Sequence, residues 1–206
     1  MKNISENYYL YLSISIIIFV FLFHQYSQQN LYNKHQDKIK IKPLYDISHE
    51  YFEEIKNKNR YKFFCTTKYG FYDILTQIII IFTIIYLFYT KNIVLISNTI
   101  LTIALLFFIR TITFSLTILP TPSECNKPPF LMGGCGDLLI SGHYINLTIC
   151  IYLVLFKLNF HILFKILFVA IFIISIYFPL LCRKHYSIDI WLSIVISYLV
   201  SSLIIK

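Results

Sequence analysis

The sequence predicts an all-α membrane protein, built as a bundle of six transmembrane helices. Its composition is the first reason: 57% of the 206 residues are hydrophobic and only 14% are charged, whereas soluble proteins have roughly 45–50% and 25%. So few charges cannot cover the surface of a soluble domain of this length, and we expect the apolar excess to face lipid. The whole chain, residues 1–206, is therefore predicted to form a single integral membrane domain.

The second reason is the length of the apolar runs. A helix that crosses the hydrocarbon needs about 20 largely apolar residues, with roughly 17–25 as the usual range. The first run is shorter, but it ends without a small-residue cleavage site, so we interpret it as a span and not as a signal peptide. The predicted spans are residues 8–23, 74–90, 93–109, 138–156, 162–181 and 188–205.

Residues 24–73 form the only long polar stretch, which is predicted to be a solvated or interfacial loop. We expect its histidines, His24, His35 and His49, to be solvated. Within this stretch, residues 46–62 have the pattern of a short amphipathic helix that lies on the membrane. Its apolar side would consist of Ile47, Tyr51, Phe52 and Ile55.

Six spans place both termini on one side of the membrane and the loops after spans one, three and five on the other. The unusual polar segments fall at these three loops, in residues 43–46, 110–137 and 183–185. We therefore expect the three segments to meet at one membrane face and to build one site. Ionisable groups at membrane depth are costly, which makes them candidates for function.

One candidate pair is His185 and Asp189, which are four residues apart and would share a face of a helix. A carboxylate beside an imidazole fixes its tautomer and stabilises its cationic form. A histidine held in this way can attack phosphorus. Alternatively, the pair only caps and orients the last span, and its spacing alone does not decide between the two.

A second candidate group is Ser141, Gly142 and His143, near the start of the fourth span. Glycine lets the backbone approach a ligand closely, and the free N–H groups at a helix start favour an anion. His143 is then a candidate proton donor or acceptor beside a bound phosphate. The alternative is a loop-to-helix turn with an interfacial histidine.

The charge pattern limits the classes of partner. The net charge of +8 is spread among the apolar runs, which argues against nucleic acid and favours lipid head groups or phosphates. The five cysteines form no CxxC pair and no zinc spacing, so they indicate neither a disulfide scaffold nor a metal site, and we expect no cofactor. Arg110, Arg183 and Lys184 can bind phosphate oxygens or serve as interfacial anchors.

Four segments resemble motifs of sphingomyelin synthases and related ceramide phosphotransferases, which are lipid phosphate phosphatase-like proteins. Residues 135–143 (CGDLLISGH) are similar to the C-G-D-x-x-x-S-G-H motif, and residues 185–189 (HYSID) to H-Y-[ST]-x-D. Residues 110–120 (RTITFSLTILP) resemble the motif that ends the third span. Residues 43–46 (PLYD) resemble P-L-P-D, with tyrosine in place of the second proline.

The resemblance implies the transfer of a phosphobase from a glycerophospholipid to ceramide, with diacylglycerol as the released product. It implies a catalytic triad of His143, His185 and Asp189. By this analogy His185, oriented by Asp189, attacks phosphorus to form a phosphohistidine, while His143 acts first as acid and then as base. No metal takes part. The phosphate-binding residues would be Arg110, Asp137, Ser141, Gly142 and Arg183.

Several activities remain open within this reading. Phosphocholine is the favoured head group, but ethanolamine and inositol remain alternatives because the loop between Pro120 and Cys135 is shorter than in animal sphingomyelin synthases. Lipid phosphate phosphatases share the S-G-H motif and the later His-x-x-x-Asp. Those phosphatases also need a K-x-x-x-x-x-x-R-P motif, which this sequence lacks, and an arginine six residues before the second histidine, where this sequence has Pro179. Both differences favour the transferase over the phosphatase. If water were the acceptor in place of ceramide, the chain would be a phospholipase C-like hydrolase. A third alternative is a catalytically inactive membrane protein or a transporter, but neither would explain the paired histidine motifs.

The resemblance also implies that the site faces the lumen or the cell exterior, in the Golgi, the endoplasmic reticulum or the plasma membrane. The positive-inside rule predicts the opposite, because 13 of the 18 basic residues lie on the site side of the six spans. We expect the lumenal orientation, because the first loop is about 50 residues long, near the length at which the rule weakens.

Overall fold

The computed structural model describes residues 2–39, 44–56, 71–117, 119 and 139–206, and the regular structure in these ranges is helical, without strands. This confirms the all-α class. The helices are α1 (Lys2–Ile39), α2 (Ile47–Lys56), α3 (Phe71–Tyr89), α4 (Ile93–Leu116), α5 (Gly142–Tyr152), α6 (Ile162–Leu181) and α7 (Ser187–Ile204). A π-helical turn, Leu153–Lys157, continues α5.

Four of these helices are long and apolar enough to cross a membrane: residues Ser5–Asn30 of α1, and the whole of α4, α6 and α7. They indicate an integral membrane protein. Two further apolar segments, Ile74–Tyr89 in α3 and Gly142–Lys157 in α5 and its π turn, are shorter. The bundle of six spanning helices therefore stays a prediction. The bounds of α6 coincide with those of the predicted fifth span.

Helix α1 corrects the prediction for the start of the polar loop. It has 38 residues and, at 1.5 Å per residue, is about 57 Å long, which is well beyond the roughly 30 Å of hydrocarbon. The predicted first span ended at Phe23, but neither glycine nor proline occurs between residues 24 and 42, and the polar residues there are compatible with a helix. Consequently, residues 24–39 are helical.

Helix α5 lies at the centre of the bundle. It packs against α3, α4, α6 and α7, while α1 packs mainly along α4. Most of its side chains are buried, as expected for a helix that is surrounded by other helices. Because Gly142 begins α5, this arrangement places the Ser141–Gly142–His143 turn among the ends of several helices.

Helix α2 confirms that a short helix forms in the first loop, but only over residues 47–56; residues 57–62 of the predicted helix lie outside the described ranges. The prediction that it lies simply on the membrane is incomplete. The ring of Phe52 packs edge-on against Tyr177 of α6, with centroids 5.1 Å apart. Ile47 and Tyr51 remain exposed, so α2 is docked on α6 through part of its apolar side.

Candidate active site

The corner between α6 and α7 places His185. Helix α6 ends in a Schellman arrangement, in which Lys184 N–H donates to the Pro179 carbonyl (2.9 Å). Arg183 supplies the left-handed residue of this turn (φ 52°), a conformation that costs a non-glycine residue roughly 1–2 kcal/mol. The chain then turns directly into α7, which begins at Ser187.

Asp189 lies at the third position of α7 and is fully buried. Its Oδ2 accepts a hydrogen bond from the Tyr186 N–H (3.1 Å), and the same oxygen lies 3.6 Å from Nδ1 of His185. The carboxylate therefore caps the helix and faces the imidazole at ion-pair distance. Because the same oxygen makes both contacts, the capping of α7 does not exclude a catalytic role for the pair.

His143 and His185 line the same small cleft. Its other lining residues are Thr76, Tyr144, Leu147, Ser175 and Pro179. The volume of about 10 Å³ is enough for roughly one water molecule. The rings of Tyr144 and His185 meet edge-on, with centroids 5.9 Å apart. The structure thus brings together the two histidines that the sequence singles out in separate motifs.

A proline in α6 explains the polar wall of this cleft. Pro179 has no N–H, so the carbonyl of Ser175, four residues earlier, lacks its normal helical donor. The Tyr144 hydroxyl donates to that carbonyl instead, and the hydroxyls of Ser175 and Thr76 form a hydrogen bond with each other (3.1 Å). Tyr144 is therefore fixed beside His185 by the backbone of α6.

Ser193 joins the two motifs, and sequence analysis did not identify it. The Ser141 N–H donates to Ser193 Oγ (2.7 Å), and the Ser193 hydroxyl donates to the Asp189 carbonyl. Both serines are buried. The Ser141 hydroxyl has no hydrogen-bond partner within the described part of the chain. Ser193 lies four residues after Asp189 on α7, so helical spacing from Asp189 is the signal that points to it.

Arg110 lies against the Ser141–Gly142–His143 turn and is 3% exposed. Its Nε donates to the Ile140 carbonyl (2.8 Å). A Cβ built on Gly142 would come within 2.8 Å of Arg110 Nη1 and 3.2 Å of Cζ, closer than atoms pack without displacement. A larger residue at position 142 would therefore require the guanidinium to shift.

His24 is buried, and the prediction of a solvated histidine was wrong for it. Its Nδ1 lies 2.7 Å from Thr111 Oγ1, and its Nε2 lies 3.1 Å from Arg110 Nη1. The burial follows from the extension of α1 beyond residue 23. The signal was present in the sequence, because His24 continues the helical face of Val20 and Gln28, which are also buried.

The first loop reaches the same site through residues 44–49. Asp46 Oδ2 accepts from the Ser187 N–H (2.6 Å) and hydroxyl (3.0 Å) at the start of α7, and Oδ1 accepts from Ser48. Burial alone would raise the pKa of Asp46, but the hydrogen bonds from Ser48 and Ser187 outweigh it and lower the pKa below its usual value. These contacts hold the loop on the start of α7.

Two further contacts hold the loop on the residues beside Asp189. The Leu44 N–H donates to the Tyr186 hydroxyl (3.0 Å), whose pKa is raised mainly by burial. His49 is 7% exposed, its Nε2 lies 2.8 Å from the His185 carbonyl, and its ring packs on Tyr186. The prediction that His49 is solvated was therefore wrong, because sequence spacing does not report docking between distant segments.

The remaining predicted residues occupy different places. Arg183 is half-buried, and its Nη2 lies 3.4 Å from the His49 carbonyl. Lys184 lies in the same turn. Asp137 lies outside the described residues, as does the side chain of His35. His161 caps the opposite end of α6, so the structure separates it from the cleft.

One cysteine forms a disulfide that the sequence did not indicate. Cys182 is disulfide-bonded, whereas Cys150 is a free buried thiol. The cysteine spacing argued only against a disulfide scaffold and a zinc site, and it does not report a single bond of this kind. A disulfide between distant residues leaves no spacing pattern in a sequence.

Comparison with known proteins finds a match at the level of a superfamily. Residues 134–205 match the family model described as PAP2 superfamily C-terminal. The match contains both histidine motifs and supports the lipid phosphate phosphatase-like superfamily, whose members are typically phosphatases or phosphotransferases. A comparison with curated proteins finds no match. The chain is thus similar to enzymes that act on phosphate groups of lipids.

Proposed function

We propose that the chain is a sphingomyelin synthase-like transferase, which moves a phosphobase from a glycerophospholipid to ceramide and releases diacylglycerol. Phosphocholine is the favoured group. The proposal rests chiefly on one observation, the cleft that His143 and His185 share, with Asp189 behind His185. Two histidines, one of them backed by a carboxylate, are the groups that covalent catalysis with acid–base assistance needs.

In the first step, His185 attacks the phosphorus of the donor lipid. Its Nδ1 faces Asp189, so Nε2 is the attacking nitrogen. A P–N bond forms and the P–O bond to diacylglycerol breaks, with the electron pair passing to the glycerol oxygen. His143 gives that oxygen a proton, and Asp189 stabilises the positive charge of the phosphohistidine.

In the second step, ceramide takes the phosphobase. His143, now neutral, accepts the proton of the primary hydroxyl while the hydroxyl oxygen attacks phosphorus. The P–N bond breaks, and its electron pair returns to His185. Both histidines end in their starting protonation states, so no external acid, base or metal is consumed.

The phosphate oxygens would bind at the start of α5. Ser141 is suited to this role because its hydroxyl is buried and has no hydrogen-bond partner among the described residues. The positive end of the α5 dipole, at Gly142, favours the same anion. Arg110, Arg183 and Asp137 complete the proposed phosphate site, with Arg110 acting from beneath Gly142.

We place this site on the lumenal or exoplasmic face of a Golgi, endoplasmic reticulum or plasma membrane. Cys182 directly precedes the His185 corner, and disulfides persist in oxidising compartments. An epitope tag inserted between residues 57 and 70 tests the orientation by protease protection. A tag digested from the cytosolic side of sealed membranes would contradict the proposed face.

The activity is tested in membranes from cells that lack such enzymes, supplied with fluorescent ceramide and one defined donor at a time. A phosphosphingolipid made with phosphatidylcholine supports the favoured head group; ethanolamine or inositol donors would identify the alternatives. Absence of product with every donor would contradict the transferase. His185→Ala should abolish product, whereas Ser202→Ala, an exposed change on the same helix, should not.

A hydrolase is the second candidate function. The matched superfamily includes phosphatases, and the cleft has room for roughly one water molecule. Release of phosphobase without ceramide would indicate a phospholipase C-like hydrolase, and free phosphate from phosphatidic acid a lipid phosphatase. The same membranes distinguish the three outcomes when the water-soluble products are measured beside the lipids.

A further inference from the structure

We infer that His24 is a positioning residue for the candidate reaction: it holds the Arg110 guanidinium against Gly142 and thereby sets the position of His143. The inference rests on the proposed function for its effect on turnover. His24 belongs to none of the motifs that carry the resemblance. It reaches the site from α1, more than 80 residues before the residues that it supports.

The hydrogen-bond directions around His24 follow from its partners. Arginine can only donate, so Nε2 of His24 is the acceptor in the 3.1 Å contact with Arg110 Nη1. The Nδ1–H is then the donor to Thr111 Oγ1, whose own hydroxyl donates to the Phe107 carbonyl (2.7 Å). Only a neutral imidazole with its proton on Nδ1 satisfies all three bonds.

The surroundings leave this arrangement little freedom. His24 and Thr111 are fully buried, and Arg110 is 3% exposed. The rings of Phe107 and Phe114 meet the imidazole edge-on, with centroids 5.6 and 5.1 Å away. A guanidinium is stable at such a depth only where its N–H groups find acceptors, and His24 provides one of them.

Arg110 connects His24 to the Ser141–Gly142–His143 turn. Its Nε donates to Ile140, and its Nη1 and Cζ occupy the space beside Gly142 where any larger residue would have its Cβ. A shift of the guanidinium would therefore change the contacts that hold the Ile140–Gly142 backbone, and His143 is the next residue. A misplacement of about 1 Å between reacting groups can cost on the order of 100-fold in rate.

The kinetic test compares two substitutions of His24 in the full-length protein. His24→Leu removes the acceptor and should lower kcat about 10- to 100-fold, with little change in KM for either lipid. His24→Gln keeps an acceptor for Arg110 and should retain most of the activity. Val20→Ala, a packing change at a buried position on the same helix face, is the control. Equal losses in His24→Gln and His24→Leu would overturn the inference.

A double-mutant cycle tests whether His24 acts through Arg110. In an Arg110→Lys background, His24→Leu should cause no further loss of kcat, since the Nη1 contact is already removed. If the double variant instead lost kcat by the product of the two single fold-losses, His24 would not act through Arg110. This outcome differs from a merely structural role, in which destabilisation by the two changes would accumulate.

The tautomer gives a readout that needs no activity. In protein labelled with ¹⁵N-histidine, the signals lost in His24→Gln should be those of a neutral imidazole protonated on Nδ1, and Arg110→Lys should shift them. An Nε2-protonated or charged imidazole would overturn the inference. If the wild-type chain turns over no lipid phosphate ester, the proposed function fails. The tautomer of His24 then still tests whether its imidazole accepts a hydrogen bond from Arg110.

Discussion

The two histidines of the cleft are supported in different ways. The Ser141–Gly142–His143 turn is held from inside the bundle, by the buried guanidinium of Arg110. The corner at His185 contains the buried carboxylate of Asp189 and is held in addition by residues 44–49, which dock on the start of α7. One half of the site therefore depends on a buried cation and its acceptors, and the other on a buried carboxylate together with the part-buried hydrogen bonds of a docked loop.

This difference predicts which changes matter most. Leaving a buried polar group unsatisfied costs about 1–3 kcal/mol, and more for a charged group, whereas a typical hydrogen bond contributes about 0.5–1.5 kcal/mol. Substitutions in the buried residues that support the His143 turn, or in the buried contacts between the two histidine motifs, should cause large losses of stability and turnover. Substitutions in residues 44–49 should cause small losses of stability and turnover.

Asp189→Asn should have the largest effect, because it removes the negative charge behind His185 while keeping the size of the side chain. We expect turnover to fall about 10³- to 10⁴-fold, by analogy with the carboxylate of catalytic triads. The measurement is product formation from fluorescent ceramide in membranes with equal amounts of protein. Activity within tenfold of wild type would mean that Asp189 only caps α7.

Ser193→Ala tests the contact that joins the two halves. It leaves the buried Ser141 N–H without its acceptor, so we expect a loss of about 1–3 kcal/mol in the free energy of unfolding and a fall in turnover of about tenfold. Ser197→Ala is the matched control, because Ser197 is equally buried one turn later. Equal effects of the two changes would show that Ser193 has no special role.

Gly142→Ala tests the turn beneath His143. The new Cβ would lie 2.8 Å from Arg110 Nη1, and the guanidinium, fixed by Ile140 and His24, cannot move without losing a hydrogen bond. Overpacking of this kind costs about 1–3 kcal/mol, and we expect a lower Tm and several-fold lower turnover. Arg110→Lys in the same chain should relieve part of the loss in Tm. No relief would contradict the assigned contact.

Asp46→Asn should have the smallest effect at neutral pH and the clearest pH dependence. Because hydrogen bonds lower the pKa of Asp46 in the folded chain, its contribution to docking is present above the usual carboxyl pKa of 3.8. The contribution is lost as the pH falls through the lower folded value. Limited proteolysis of the 44–56 segment between pH 3 and pH 7 measures this.

The wild-type segment should become more accessible at the acid end, and Asp46→Asn should lose that dependence. Glu50→Gln, a nearby change on α2 whose side chain contacts Tyr45 and not α7, is the control. An unchanged acid dependence in Asp46→Asn would show that another group controls the docking of the loop.

Local sequence patterns predicted the features that depend on neighbours along the chain. The bounds of α6 agree with the apolar run at 162–181, because hydrophobic length is a property of one segment. The four-residue spacing of His185 and Asp189 predicted that the two side chains lie close together, and Nδ1 and Oδ2 are 3.6 Å apart. The shared helix was wrong, because His185 lies in the turn before α7. The polar stretch after residue 23 was predicted to be a loop, but residues 24–39 are helical. Polar composition does not end a helix where no glycine or proline interrupts it.

By itself, the sequence determined that the chain is helical and apolar, and that Asp137, His143, His185 and Asp189 lie in two short motifs. Only the tertiary structure decided that His143 and His185 share a cleft, that His24 and His49 are buried beside them, and that Cys182 is disulfide-bonded. The physical reason is that periodicity and composition describe each helix separately. Which polar groups satisfy one another across helices depends on how the buried faces pack.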